Sequence, residues 1–380
     1  MAIDLVGFGI LFPVLARYAR DTGASPAVAG MLVASFSIAQ VIFSPLTGLL
    51  SDRVGRKPVI ILSLVGTAIG SLLTGLAGSL ALLFVGRIID GASGSSVAVA
   101  QASVTDVAEP SERARLLGLL GAAFGVGFAL GPAIGGIAAL VSHRLPFFIA
   151  AAIAGVNALV AVKRLPETLD RSTIERGASK PAARPGVDTG SRELVRRLIL
   201  VTFTSLVAFS GFEATFSLLT EARLDLSESA TYAVFFLIGI GLVFVQGGLV
   251  HPVVASLGET RTVRAGLVAD AVGLALVAVD AGWWSLAPAL VFLVVGQGLV
   301  APTLSSLVSR ASPEPRRGQT LGLQHSAGGL ARAVGPALAG VLFGAAVAAP
   351  YVLGAALLVL SVALLPAAMP EKSLAPVTRR

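Results

Sequence analysis

Six ionisable side chains stand inside long apolar runs: Asp4 in MAIDLVGFG, Arg87 and Asp90 in LFVGRIIDGASG, Glu213 in FSGFEATFSLL, Asp270 in GLVADAVG and Arg332 in GGLARAVGP. Ionisable groups in such surroundings are costly and by default mark a functional site. The chemistry open to them is proton exchange: a carboxylate whose ionised form is disfavoured by desolvation takes up and releases protons, and a nearby arginine holds it ionised. Arg87 and Asp90, at i and i+3, share one helix face, so they form either a self-neutralising pair or part of a proton site.

No reaction centre is legible beside them. His143, His251 and His325 lie far apart without ligand spacing, and there is no Walker loop, no GxSxG serine and no HExxH. The chain has no cysteine, which excludes disulfides and thiolate metal sites. It is therefore not expected to be an enzyme, to hydrolyse ATP or to hold a metal or cofactor. Gln40, Gln101, Gln246, Gln297 and Gln324 are expected to make hydrogen bonds between helices.

The elements that must position these charges follow from composition. Of 380 residues, 55% are hydrophobic and 13% charged, against about 25% charged in a soluble domain. Windows of about 19 residues mark apolar segments at 3–19, 28–50, 58–78, 80–102, 116–141, 145–162, 198–219, 230–256, 263–280, 283–308, 318–345 and 347–368. They predict an all-α membrane protein with twelve transmembrane helices. A soluble helical protein would need a charged face opposite each apolar stripe, which most segments lack, and a β-barrel would need alternating segments of about ten residues. No basic region precedes the first segment and no small-residue cleavage site follows it, so the first span is expected to act as its own targeting signal.

The net charge of +7 could point to nucleic acid, but its placement argues for topology. With the N-terminus in the cytoplasm, 22 of the 28 Lys and Arg fall on the cytoplasmic side, four (Arg17, Arg20, Arg144, Arg223) fall outside, and Arg87 and Arg332 lie within spans. The positive-inside bias predicts a multi-pass protein of the cell membrane with both termini cytoplasmic and no nucleic-acid partner.

The chain is also written twice. GLLGAAFGVGFALGPAIGG at 118–136 recurs as GLQHSAGGLARAVGPALAG at 322–340, with 9 of 19 positions identical at an offset of 204. The same offset aligns Arg113 with Arg317 and Pro166-Glu167 with Pro370-Glu371. An even number of spans per half leaves both copies in one orientation, related by an axis along the membrane normal, with a substrate site expected between them at mid-membrane. The expected organisation is an N-terminal six-helix bundle at 1–162, a polar cytoplasmic linker at 163–197, a C-terminal six-helix bundle at 198–369 and a cytoplasmic tail at 370–380.

Between the second and third segments stands GLLSDRVGRKPVI, which resembles the loop 2–3 signature of the major facilitator superfamily at Gly48, Asp52, Arg53, Gly55, Arg56 and Lys57. Gly55 permits the tight reversal, Asp52 can face the positive N-terminal end of a neighbouring helix, and Arg56 can pair with Asp106 at the end of the fourth segment. Ordinary positive-inside anchoring accounts for Arg53 and Lys57. The second half keeps a worn copy, GLVHPVVASLGETRTVR from Gly248, with three residues inserted and Pro252 in place of the acid. The lock is therefore expected mainly in the first half.

Arg87, Asp90 and Gly91 resemble the family's Arg-x-x-Gln-Gly pattern, with aspartate where glutamine is usual. Asp4-x-x-Gly-x-Gly-x-x-x-Pro13 looks like the first helix of twelve-span drug/proton antiporters, including tetracycline efflux proteins. From Asp4 to Tyr18 a helix covers only about 22 Å, short of a core of roughly 30 Å, which predicts about ten further native residues upstream. Gly118, Gly127, Gly131, Pro132, Gly135 and Gly136 match the antiporter motif of the fifth span. Gly127, Gly131 and Gly135 make a smooth stripe that lets backbones approach, repeated as Ala331, Gly335 and Ala339 in a copy that also keeps Pro336 and Gly340. Pro132 removes the hydrogen bond to the Phe128 carbonyl and favours a kink.

The resemblance implies a secondary active transporter that works as a monomer by alternating access. It would couple to protons and export a drug-like or amphiphilic small molecule. A sugar or metabolite transporter of the same fold, or a non-transporting receptor or scaffold, is the alternative. Glu213 or Asp4, supported by Asp90, would carry the proton, with Arg87 tuning the acid and Arg332 as a further intramembrane charge. Aromatics make up 6% of the chain, few for a cavity of cation-stacking rings.

Overall fold

The computed structural model describes residues 10–94, 96–108, 116, 127, 130–131, 134–168, 189–279, 282–312 and 317–365. Asp4, Gly118, Pro132, most of the fifth apolar segment, most of the expected linker and the expected tail lie outside the described residues.

The described residues form helices joined by short turns, without a strand. They are α1 (Phe12–Asp21), α2 (Pro26–Val54), α3 (Arg56–Leu76), α4 (Leu80–Ser93), α5 (Ser96–Val107), α6 (Leu145–Arg164) and α7 (Thr189–Leu224). There follow α8 (Glu228–Phe244), a π-helical turn (Val245–Leu249), α9 (Val250–Leu257), α10 (Glu259–Ala278), α11 (Trp283–Ala311), α12 (Arg317–Ala345) and α13 (Ala349–Leu364). Among the described residues, seven helical stretches are long and apolar enough to cross a membrane: Pro26–Val54, Arg56–Leu76, Leu145–Arg164, Arg192–Leu224, Ser229–Leu257, Trp283–Ala311 and Thr320–Ala345. Their exposed residues include Leu159, Leu237 and Phe244, side chains suited to lipid rather than water.

Local chemistry explains the helix starts. Ser25, Ser79 and Ser227 cap α2, α4 and α8, each hydroxyl accepting from the backbone N–H three residues on, at 3.3–3.4 Å. Gly55 and Gly258 hold φ of 107° and 79° directly before α3 and α10, a backbone that side chains resist. The two turns are thus conformational copies, although the surrounding sequence is worn. α7 begins inside the stretch expected to be linker, because Glu193 pairs with Arg196 and Arg197 at 2.9 Å and Leu194 and Val195 pack on the core. These i,i+3 and i,i+4 pairs and the packing extend the helix beyond its apolar segment.

In the first half α3 packs on α4 and α6, and α2 packs on α4; in the second, α7 packs on α12 and α13, and α10 on α11 and α13. The halves meet where α2 crosses α12 and where α1 meets α7 and α8. Glycines set these approaches, and repeat-equivalent ones do equivalent work. A Cβ on Gly340 would stand 2.9 Å from the Gly30 Cα of α2, and one on Gly136 2.5 Å from the Tyr232 carbonyl oxygen of α8. Both are contacts between halves. Gly135 instead packs on the backbone of Ile10, and Gly335 on α7, where a Cβ would lie 2.6 Å from the Val207 carbonyl oxygen. Gly127 and Gly131 are buried, and α12 continues through Pro336.

The α2–α12 contact opens along its length. It is tight at Gly30 and Gly340, loosens to 3.8 Å between a Cβ placed on Gly329 and the Val41 side chain, and is gone at Gly48 and Gly322, where such a Cβ would meet nothing described within 4 Å. The two halves therefore close at the Gly340 end and separate toward the Gly55 end.

Candidate functional site

Between the halves lies a narrow cavity walled by Leu11 just before α1, Leu15 of α1, Val33, Phe36 and Ser37 of α2, Arg87 of α4 and Arg332 of α12. Its wall is apolar apart from Ser37 and two guanidiniums, one from each half. Arg87 Nη1 donates to Asp90 Oδ2 at 2.8 Å with both side chains 4% exposed, so the self-neutralising pair open from spacing is formed. The Arg87 guanidinium also lies 4.6 Å from the centre of the Phe36 ring, a cation–π contact strengthened by desolvation. Gly70 makes room for this: a Cβ there would stand 2.7 Å from the Asp90 Cβ.

Asp90→Ala strands the Arg87 guanidinium, and breaking a buried pair costs about 3–5 kcal/mol. The expected result is a clear fall in melting temperature in detergent, with Asp90→Asn intermediate. An unchanged melting temperature would show the pair to be energetically idle.

On the second half, Glu213 of α7 is buried and its Oε2 makes no hydrogen bond. Arg332 of α12 lies within electrostatic reach of it, with His325 on the same helix. Sequence spacing does not bring Glu213 to Arg332; the packing of α7 on α12 does. It is held by Ser210 Oγ donating to the Ala331 carbonyl at 3.3 Å and Gln324 Nε2 donating to Thr202 Oγ1 at 3.3 Å. His325 was not legible as part of this cluster, although it lies seven residues, about two helical turns, before Arg332. Asp270 stands apart: it is buried on α10 against α11, where a Cβ on Gly296 would lie 2.6 Å from its Cγ. Gln40 donates to the Gly94 carbonyl at 2.6 Å, one of the interhelical bonds expected of the glutamines.

At the Gly55 end, Arg56 gathers a second polar cluster. Its Nε donates to Asp106 Oδ2 at 2.9 Å, and its Nη1 to Asp52 Oδ1 at 2.5 Å and Ser51 Oγ at 2.6 Å. Asp52 therefore meets Arg56 here rather than a helix start. The carboxylate at a helix start is Glu167, which accepts from the N–H groups of Arg56 at 2.8 Å and Lys57 at 3.2 Å and so complements the positive end of α3. Gly55 leaves it room, since a Cβ there would stand 2.9 Å from the Glu167 carboxyl carbon.

Polar contacts are also made at the corresponding turn of the second half, between α10 and α11. Glu259 opens α10, accepts from Ser306 Oγ at 2.6 Å and pairs with Arg310 Nη1 at 3.4 Å. The acid at this turn is Glu259, directly after Gly258, while Pro252 stands at the position of the first-half acid. No cluster of three or more His, Cys, Asp or Glu able to hold a metal occurs among the described residues.

With the helices, the cavity and the polar clusters placed, the chain as a whole can be set beside known proteins. The sequence model of the Major Facilitator Superfamily matches residues 1–255 and 249–379. The chain belongs to the major facilitator superfamily. This facilitator is 33% identical over 352 residues to the tetracycline resistance protein, class E, of Escherichia coli, covering 90% of this chain and 86% of that protein. It is 28% identical over 345 residues to multidrug resistance protein 2 of Bacillus subtilis (strain 168), at 90% and 86% coverage. Among solved structures it is similar to the human organic anion transporter MFSD10 (TETRAN), with a TM-score of 0.72, 27% identity and 96% of each chain covered. The facilitator is a multi-pass membrane transporter, not an enzyme.

Proposed function

We propose that this facilitator is a proton-coupled exporter of amphiphilic, drug-like molecules in the cell membrane. It works as a monomer with both termini cytoplasmic. Two six-helix bundles, 1–162 and 198–369, joined by the linker 163–197, rock about the central cavity. The relatives named above support export of drugs, and the positive-inside bias supports the Gly55 end as the cytoplasmic one. On this reading the cavity opens to the cytoplasm, and the Gly30–Gly340 and Gly136–Tyr232 contacts close the outside.

The observation that carries the reading is the buried, unbonded Glu213 carboxyl within electrostatic reach of Arg332 on the cavity wall. The Arg332 charge favours Glu213 ionised and offers nothing to its protonated form. Arg332 is also the second-half residue on the cavity wall, so a substrate or a helix movement that displaces its guanidinium changes the proton occupancy of Glu213. Protonation and helix position thereby bias one equilibrium, which is what coupling requires. Arg87 and Arg332 offer donors to an acceptor-bearing substrate, while Leu11, Leu15, Val33 and Phe36 take its apolar body. Asp52, with its side chain 58% exposed, is placed to meet the start of a second-half helix when the cytoplasmic end closes.

Inside-out vesicles carrying the protein test the reading with tetracycline and a panel of amphiphilic drugs. Accumulation of at least one compound should depend on an interior-acid pH gradient and collapse by about tenfold when nigericin dissipates it. Accumulation that ignores the pH gradient would reject proton coupling, and transport of sugars alone would reject the substrate class.

A further inference from the structure

The two polar clusters at the Gly55 end are related by the repeat, and their charges are exchanged. Gly258 and Glu259 occupy the places of Gly55 and Arg56, with ψ of 158° at both glycines, and Arg310 lies 204 residues after Asp106. In the first half a base at the start of α3 pairs with an acid at the end of α5, Arg56 with Asp106 at 2.9 Å. In the second half an acid at the start of α10 pairs with a base at the end of α11, Glu259 with Arg310 at 3.4 Å. Each half is satisfied internally in a structure whose α2 and α12 separate toward this end.

A charge pattern that inverts under a repeat has a consequence across the axis relating the copies. Equivalent positions lie opposite one another at the same depth. Like charges there would repel on closure; exchanged charges attract. The helices concerned run beside the centre: α4 carries Arg87 into the cavity wall and is followed by α5, with Asp106 in its last turn, and α11 is the copy of that pair, with Arg310 in its last turn. Neither outer residue is fully enclosed in its own pair, since the Asp106 side chain is 25% exposed and that of Arg310 42% exposed.

We infer that Asp106 and Arg310 are positioning residues of the transport cycle that exchange partners, leaving Arg56 and Glu259 to meet each other across the axis when the Gly55 end closes. The exchange trades two ion pairs within halves for two between halves, so neither end state strands a charge. Two states of similar energy are what a rocking transporter needs if both are to be populated. The inference rests on the two-bundle reading above and is independent of which acid carries the proton.

A double-mutant cycle tests it, because Asp106 and Arg310 belong to different halves and make no bond to each other in this state. Asp106→Arg and Arg310→Glu each set like charges together in their own half and across the axis. Each should lower tetracycline transport at least tenfold. If partners are exchanged, the double variant restores the attraction across the axis and should exceed the worse single variant by at least threefold. A pair acting only within halves gives effects that multiply, which would overturn the inference. The second measurement uses Asp106→Cys with Arg310→Cys in this cysteine-free chain. A short bismaleimide should join the two in membranes and stop transport, whereas failure to cross-link would overturn the proposal even if the charge variants fold poorly. Multiplying effects with pH-driven transport intact in the unmodified protein would remove partner exchange alone. Loss of that pH dependence speaks only to proton coupling.

Discussion

Glu213→Gln is expected to abolish proton-driven accumulation while leaving a folded protein that still equilibrates substrate down its own gradient. The substitution keeps the shape of the side chain. Because Oε2 makes no hydrogen bond, replacing it with an amide removes a proton site without removing a structural bond. What is lost is the charge that Arg332 compensates. Accumulation driven by an imposed pH gradient should fall roughly tenfold or more, corresponding to about 1.4 kcal/mol of lost coupling, while exchange of labelled for unlabelled substrate persists. Asp270→Asn is the comparison. That acid is equally buried but packs between α10 and α11 beside Gly296, away from the cavity wall, so its loss should leave coupling intact. Normal coupling in Glu213→Gln, or its loss in Asp270→Asn, would transfer the proton to another group.

The second large effect separates two glycines that the repeat makes look alike. Gly340→Val places a side chain where α12 meets α2 of the other half, whereas Gly335→Val places one against α7 of its own half. Overpacking of this kind costs about 1–3 kcal/mol, but the two proteins should suffer it differently. Within one half the strain is present in every state, so Gly335→Val should lower the melting temperature and the folded yield. Between halves it is relieved when the halves part. Gly340→Val should therefore fold normally, fail to close that end and lose at least tenfold in transport. With no native cysteine, a Ser37→Cys reporter on the cavity wall can be labelled from the Gly340 side by a membrane-impermeant maleimide. Labelling should rise in Gly340→Val; equal labelling and equal transport would show that this contact is not a gate.

Much of the site was legible because its determinants are local or repeated. Arg87 and Asp90 share a helix face by spacing alone, and their pair needs no tertiary information beyond burial. Arg56 and Asp106 are distant in sequence, yet the turn signature and the end of the following helix pair specify where each must be. The Glu259–Arg310 pair was also available, since the offset from Asp106 falls on Arg310, but its inverted sign hides it from any search for identical residues. In the sequence Glu167 stands out only as part of a repeated dipeptide; its contact with the start of α3 depends on the chain after α6 returning there.

The sequence by itself determined that this chain spans a membrane many times, that it is a duplicated unit, and which few charges and glycines interrupt its apolar runs. Those properties follow from composition, period and repetition, because lipid tolerates only helices with satisfied backbones and penalises every stray charge. Only the tertiary structure decided the partners: Glu213 with Arg332 through the crossing of α7 and α12, Phe36 over Arg87, and Gly340 against the other half while Gly335 stays within its own. The reason is geometric. A helix face offers several directions to its neighbours, and which neighbour fills each is settled by how close two backbones can come.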